Sequence, residues 1–245
     1  MNVFRSIVFS AVLSGLIVGI VVTALQQFGT VPLILQAEIY EKATDKAAPV
    51  AHSDAAAVPH EHEHGDEGWE PADGFERNAF TAAFNVIDWI GFGLLLNGAF
   101  VLFRRSATWR EGFLWGLGGF AAIMLAPGLG LPPELPGIPA APLGPRQIWW
   151  IGTALATAAG LGLIAFRRTP ALAVVAVALI VAPHLIGAPQ LADLHTEVPE
   201  ALSHRFVVTV LVTSFVSWAL LGALTGAFYR MFSRQEERAG TAAFA

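Results

Sequence analysis

Six apolar runs divide this chain, and they leave it few ways to fold. They extend from Ile7 to Leu25, Ala79 to Phe103, Phe113 to Leu125, Ile148 to Phe166, Ala171 to Ile186, and Phe206 to about Phe228. A helix crosses a bilayer with about 20 mostly apolar residues, because hydrocarbon tolerates only a backbone that satisfies its own hydrogen bonds. The pattern therefore predicts an all-α membrane protein, a six-span transmembrane helical bundle. Composition adds one constraint. With 245 residues, 55% hydrophobic and 13% charged, and a mean hydropathy of +0.59, the chain has no room for a separate soluble domain beside six spans. The first run follows Arg5, and its apolar core is longer than the roughly 7–15 residues of a signal peptide. No small-residue cleavage site follows before Gln26, so a retained span is expected.

The order of segments predicts a first span in residues 1–26, an outer His/acid-rich loop in 27–78, a five-span bundle in 79–231 and a tail in 232–245. Orientation comes from the basic residues. With the N-terminus inside, Arg5, Arg104, Arg105, Arg110, Arg167, Arg168, Arg230, Arg234 and Arg238 fall on the cytoplasmic side. Only Lys42, Lys46, Arg77, Arg146 and Arg205 fall outside, in segments that hold more residues. The positive-inside rule thus puts both termini in the cytoplasm of a bacterial inner (plasma) membrane, as a multi-pass protein. Lys42 to Val58 lacks a sustained apolar period and reads as solvated loop, and LPPELPGIPAAPLGP after Gly130 reads as an irregular connection at the membrane surface.

Three features could carry chemistry. His60, His62 and His64 alternate with Glu61 and Glu63 and precede Asp66 and Glu67, with His52 and Asp54 upstream. Imidazole and carboxylate suit Co²⁺, Ni²⁺ and Zn²⁺, and the alternate spacing suits a loop that wraps metal weakly rather than a preformed tetrahedral site. The bland alternative is a solvated charged linker. Asp88 lies near the middle of the second run, and Thr81, Asn85 and Asp88 follow i, i+4, i+7 spacing, so a polar stripe is expected to descend from the outer surface. Such a carboxylate marks either a translocation path or a contact that fixes packing. His184, bracketed by Pro183 and Pro189 at the end of the fifth run, has freed carbonyls beside it and is a candidate metal waypoint or a hydrogen-bonded structural residue. His52, His195, His204 and Met124 are weaker metal candidates, with packing the simpler reading of Met124. Paired small residues at Gly15/Gly19, Gly112/Gly116 and Gly222/Gly226 are expected to let helices approach closely.

Absences narrow the field. No cysteine means no disulfide, iron–sulfur cluster or thiolate site. No G-x-x-x-x-G-K-[ST] segment is present, so any nucleotide drive belongs to a partner. Haem ligation and intramembrane proteolysis lack their residue sets within the spans, so no catalytic residue and no enzyme activity are expected. The lipid bilayer is an expected partner, and nucleic acid is not.

HEHEHGDEGWEPADGFERNAFT at 60–81, LPPELPGIPAAPLGPRQIWWIGTALATA at 131–158 and VAPHLIGAPQ at 181–190 occur in that order, and together the chain resembles the CbtA family of predicted cobalt transporter subunits. The resemblance implies a multi-span protein tied to cobalt supply for cobalamin synthesis. It also implies Co²⁺ as the transported ion with no permanently bound cofactor, and a small single-span His-bearing partner of the CbtB type. It would place Trp69, Pro71, Asp73, Gly74, Glu76 and Arg77 in the family's loop motif, and His184 and Pro189 in its motif at the fifth span. The expected function is capture of metal at the outer His-rich loop and passage through the bundle past His184 toward Asn85 and Asp88. Two rivals are a sensing or scaffold protein that presents metal to a separate permease, and an oxidoreductase or assembly subunit without metal transport in which the His tract is incidental.

Overall fold

The computed structural model describes residues 2–47, 71–72, 74–103, 108–167, 169–191 and 195–242. It is all-helical, with 85% helix and no strand among the described residues. Those residues form eight α-helices in order: α1 (Asn2–Phe28), α2 (Thr30–Ala47), α3 (Phe75–Leu102), α4 (Trp109–Phe120), α5 (Ala126–Gly130), α6 (Leu143–Phe166), α7 (Pro170–Ile186) and α8 (Glu200–Ala242). A π-helical turn, Ala121–Leu125, joins α4 to α5 without a break. Pro127, which has no N–H and whose ring crowds the preceding turn, accounts for that widening.

Among the described residues five helices are long and apolar enough to cross a bilayer: Val3–Phe28, Phe75–Leu102, Trp109–Gly130, Leu143–Phe166 and Glu200–Gln235. The sixth expected span is α7, whose 17 residues reach about 25 Å at 1.5 Å per residue, short of the roughly 30 Å hydrocarbon core. Pro170 fixes its start, and Gly187 at φ 87° ends it, so it has no room to lengthen. Three other boundaries differ from the sequence expectation. The third span begins at Trp109 and runs through Pro127 to Gly130, because the π turn absorbs the proline. Residues 30–47, expected as loop, form α2. The last helix continues into the expected tail as far as Ala242.

α2 forms because Leu33 and Ala37, four residues apart, make one apolar face. That face is buried against Leu135, Val198, Leu202 and Phe206 at the start of α8 and the connection before α6. Pro32 falls in its first turn, where a missing N–H costs nothing.

The main core lies where α1, α3 and α8 meet. Val18, Val22, Trp89, Leu96, Phe100, Trp218 and Leu221 fill it. Trp89 meets Trp218 edge-on at 5.6 Å between ring centroids, and Phe92 meets Trp218 at 4.8 Å. Each such pair contributes about 0.5–1.5 kcal/mol beyond its buried area. Lipid offers no hydrophobic gain for helix association, so close backbone approach matters more here than in water. A Cβ on Gly112 would run into the Gly222 carbonyl, and one on Gly116 into the Trp218 carbonyl. Gly15 and Gly19 likewise receive Ile90 and Val86 of α3. The glycine pairs read from sequence thus form the α1–α3 and α4–α8 seams. α7 runs antiparallel beside α6, with Gly160 against the Ala176 carbonyl and Trp149 against Pro183.

Candidate functional site

The outer metal candidates His52, His60, His62, His64 and Asp66 lie outside the described residues. The end of the same segment is described, and it makes the turn into α3. Gly74 takes φ 94°, a conformation that favours glycine. The Glu76 carboxylate accepts from the Ala72 N–H at 3.3 Å, and Arg77 donates its N–H to the Ala72 carbonyl at 3.1 Å. The Arg77 guanidinium reaches Glu38 at 2.9 Å, so this segment pins α2 to the start of α3.

Below that turn Asn85 points at α1. Its Nδ2 donates to Thr23 Oγ1 at 3.0 Å and to Gln26 Oε1 at 2.7 Å. Thr23 spends its own hydrogen on the Gly19 carbonyl at 2.8 Å, which leaves its oxygen free to accept. Gln26 then opens on a cavity of about 190 Å³ between α1, α2 and α8, lined also by Thr30, Thr213 and Ser214. Thr23 and Gln26 were not legible as partners from sequence. Their one signal is the Thr23–Gln26–Thr30 spacing, which puts them on one side of the chain as α1 gives way to α2.

Further along α1, Ser6, Ser10 and Ser14 repeat every four residues, and all three are buried. Ser10 Oγ donates to the Thr225 carbonyl at 3.0 Å. Asn97 donates to the Gly93 carbonyl at 3.0 Å and weakly to the Ile7 carbonyl at 3.4 Å. Ser14 Oγ, Asn97 Oδ1 and Thr225 Oγ1 are buried with no hydrogen-bond partner. Buried polar atoms are nearly always paired, and Thr157 Oγ1 in α6 is a fourth such atom among the described residues. Between this inner cluster and the Asn85 network stand Val18, Val22, Trp89 and Trp218, an apolar plug.

Asp88 does not join Asn85. A three-residue step turns about 60° around a helix, and while Asn85 faces α1, the Asp88 side chain is exposed. Among the described residues it has no hydrogen-bond or ion-pair partner. Thr81 is half-buried and donates to the Arg77 carbonyl at 2.9 Å. The expected stripe therefore divides, with Asn85 in the bundle and Asp88 outside it.

His184 lies half-buried at the end of α7, its ring edge-on to Trp149 with 5.9 Å between centroids. The carbonyl beside it is not free: Pro183 O accepts from both Gly187 N and Trp149 Nε1, each at 3.1 Å. Met124 packs against the main core from the π turn. His195 and His204 are exposed, with Glu197 and Glu200 exposed near them in sequence. Among the described residues no three His, Asp or Glu side chains come together to hold a metal.

A family model described as "Probable cobalt transporter subunit (CbtA)" matches residues 4–230, from the first turn of α1 into α8. Comparison with curated proteins and with solved structures finds no match.

Proposed function

The chain belongs to the CbtA family of probable cobalt transporter subunits, and from that premise we propose that it is the membrane subunit of a divalent-cation uptake system that takes Co²⁺ into the cell. The observation that carries the mechanism is the column of polar groups along α1. It begins at the Gln26–Asn85 cavity, is interrupted by Val18, Val22, Trp89 and Trp218, and resumes at Ser14, Ser10, Asn97 and Thr225. A route with weak oxygen ligands at each end and a plug between them releases the ion as readily as it accepts it.

In this reading the bundle has six spans with both termini in the cytoplasm of the inner membrane. Support comes from α7, which lies beside α6 from the level of Ala176 against Gly160 to that of Pro183 against Trp149, and from the excess of arginine at the other end. The His60–His64 tract and Asp66 then lie outside and concentrate Co²⁺ by charge and transient imidazole ligation. His184, at the same outer level, offers one further imidazole. Asp88 is the one carboxylate near mid-depth among the apolar helices, and it lowers the energy of a cation there by its charge rather than by ligation. A divalent ion entering a negative interior gains about 4.6 kcal/mol per 100 mV, enough to drive uptake without nucleotide hydrolysis in this chain. Co²⁺ supply of this kind serves cobalamin synthesis, and a subunit implies further chains, of which a small single-span CbtB-type protein is the proposed one.

The test is uptake of radioactive Co²⁺ by cells that carry the wild type, Asn85→Ala, Asp88→Asn, His184→Ala or a deletion of residues 60–64. Reduced uptake is expected in each. Full uptake in the three point variants would sink the route through the bundle. Full metal binding without uptake in the wild type would favour the metal-presenting scaffold.

A further inference from the structure

Gln26 stands two residues before the end of α1 at Phe28, which by the six-span reading is the outer boundary of the first span. The cavity beside it has four polar side chains in its lining, Gln26, Thr30, Thr213 and Ser214, and the rest is apolar. None of the lining residues carries a charge or an imidazole. A divalent cation stripped of water needs about six donor atoms, and carboxylate or imidazole among them to repay the loss of its hydration. Four neutral side chains fall short. The nearby carbonyls cannot make up the number, because they are already engaged. The Thr213 carbonyl accepts from Ser217 Oγ at 2.6 Å, and the Gln26 carbonyl accepts from Thr30 Oγ1 at 3.4 Å.

A cation that keeps its water asks for something else. Water bound to a metal turns its hydrogens outward, so the shell needs acceptors around it rather than ligands. Thr30 has spent its hydrogen on the Gln26 carbonyl, which leaves its oxygen to accept. The hydroxyl oxygens of Thr213 and Ser214 line the α8 side of the same space. Size agrees with this chemistry. Six waters at roughly 30 Å³ each fill about 180 Å³, and the cavity holds about 190 Å³.

We propose that the Gln26 cavity holds a divalent cation with its six waters in place, gripped through that water by neutral hydroxyl and amide oxygens. This deepens the uptake reading and rests on it for the passage of a cation here. Ions that share the charge and the shell, Mg²⁺ among them, are equivalent in such a cavity. It therefore sorts by size and hydration, and the choice of metal falls to side chains that bind the ion directly.

The test is radioactive Co²⁺ uptake by cells that carry the full chain, with one of two exchange-inert complexes added outside. Hexaamminecobalt(III) has the size of a six-water ion and cannot accept a protein ligand. Tris(ethylenediamine)cobalt(III) has the same charge and is larger. Hexaamminecobalt(III) is expected to inhibit uptake, at about tenfold lower concentration than the larger complex. Thr213→Val with Ser214→Ala should raise its half-inhibitory concentration about tenfold, the effect of one or two lost hydrogen bonds. Immunoblots of the membrane fraction follow the amount of protein, and Thr30→Val on the opposite wall serves if the paired variant is absent from it. Equal inhibition by the two complexes, which attraction to the acidic loop alone would produce, overturns the proposal. So does inhibition by hexaamminecobalt(III) that is unchanged in the variants, or Co²⁺ uptake that ignores it. Absence of Co²⁺ uptake by the wild type would overturn the transporter reading, and this proposal with it.

Discussion

Asn85 and Asp88 are three residues apart, and the bundle treats them oppositely. Asn85 is held by Thr23 and Gln26, and replacing it by Leu would leave both partners unsatisfied at the mouth of the polar column. We expect Asn85→Leu to lower Co²⁺ uptake about tenfold, the effect of losing one or two hydrogen bonds at a polar station, while the amount of protein in the membrane stays unchanged on immunoblots. Arg77→Ala is expected to do much less to stability. Its ion pair with Glu38 is part-exposed, at 38% and 20% side-chain exposure, so the loss is under about 1 kcal/mol in thermal unfolding in detergent. That two polar residues interrupt the second apolar run was plain from sequence. Their directions were not, because a stripe at i, i+4, i+7 spreads over some 60° and the seam with α1 passes through that spread. Ser14 was not legible for another reason: a serine in a membrane helix is ordinarily satisfied by its own backbone, and only the structure shows its hydroxyl buried without a partner among the described residues.

At the scale of elements, the glycines carry the clearest message. Gly222 lies against the Gly112 carbonyl with no space for a side chain, whereas Gly91 has nothing nearby. Gly222→Leu is expected to cost about 3 kcal/mol or more, as overpacking of a close backbone contact, and to lower the melting temperature sharply. Gly91→Ala should be neutral or stabilising, since it relieves only the helix penalty of glycine. Melting curves that respond alike to both would contradict the α4–α8 seam. The glycine pairs and the apolar runs were legible because lipid restricts a helix to few ways of meeting another. α2 was not, because its apolar face of Leu33, Ala37 and Tyr40 is shared with Gln36, Glu38 and Glu41, and a half-polar helix at an interface has the composition of a loop.

At the scale of the molecule, the crossing of α7 decides the topology. Single cysteines at Gln190 and Thr169 test it: a membrane-impermeant maleimide should label Gln190→Cys on intact cells and Thr169→Cys only after permeabilisation. Labelling of both from one side would leave five crossings. The molecule otherwise consists of two parts, the α1–α3–α8 core with α4 zipped to it and the α6–α7 hairpin beside it. The segment from Trp109 to Gly130 belongs to both. Its glycines at 112 and 116 face α8, yet Gly130 at its far end faces Trp149 of the hairpin. An uninterrupted α-helix keeps a constant phase, and the π turn at Ala121–Leu125 holds one residue beyond that repeat, a slip of about 100°. Deleting Ala121 would restore the phase and swing Gly130 away from Trp149. The rod is in this sense a crankshaft, and a single surplus residue sets the angle between its two throws.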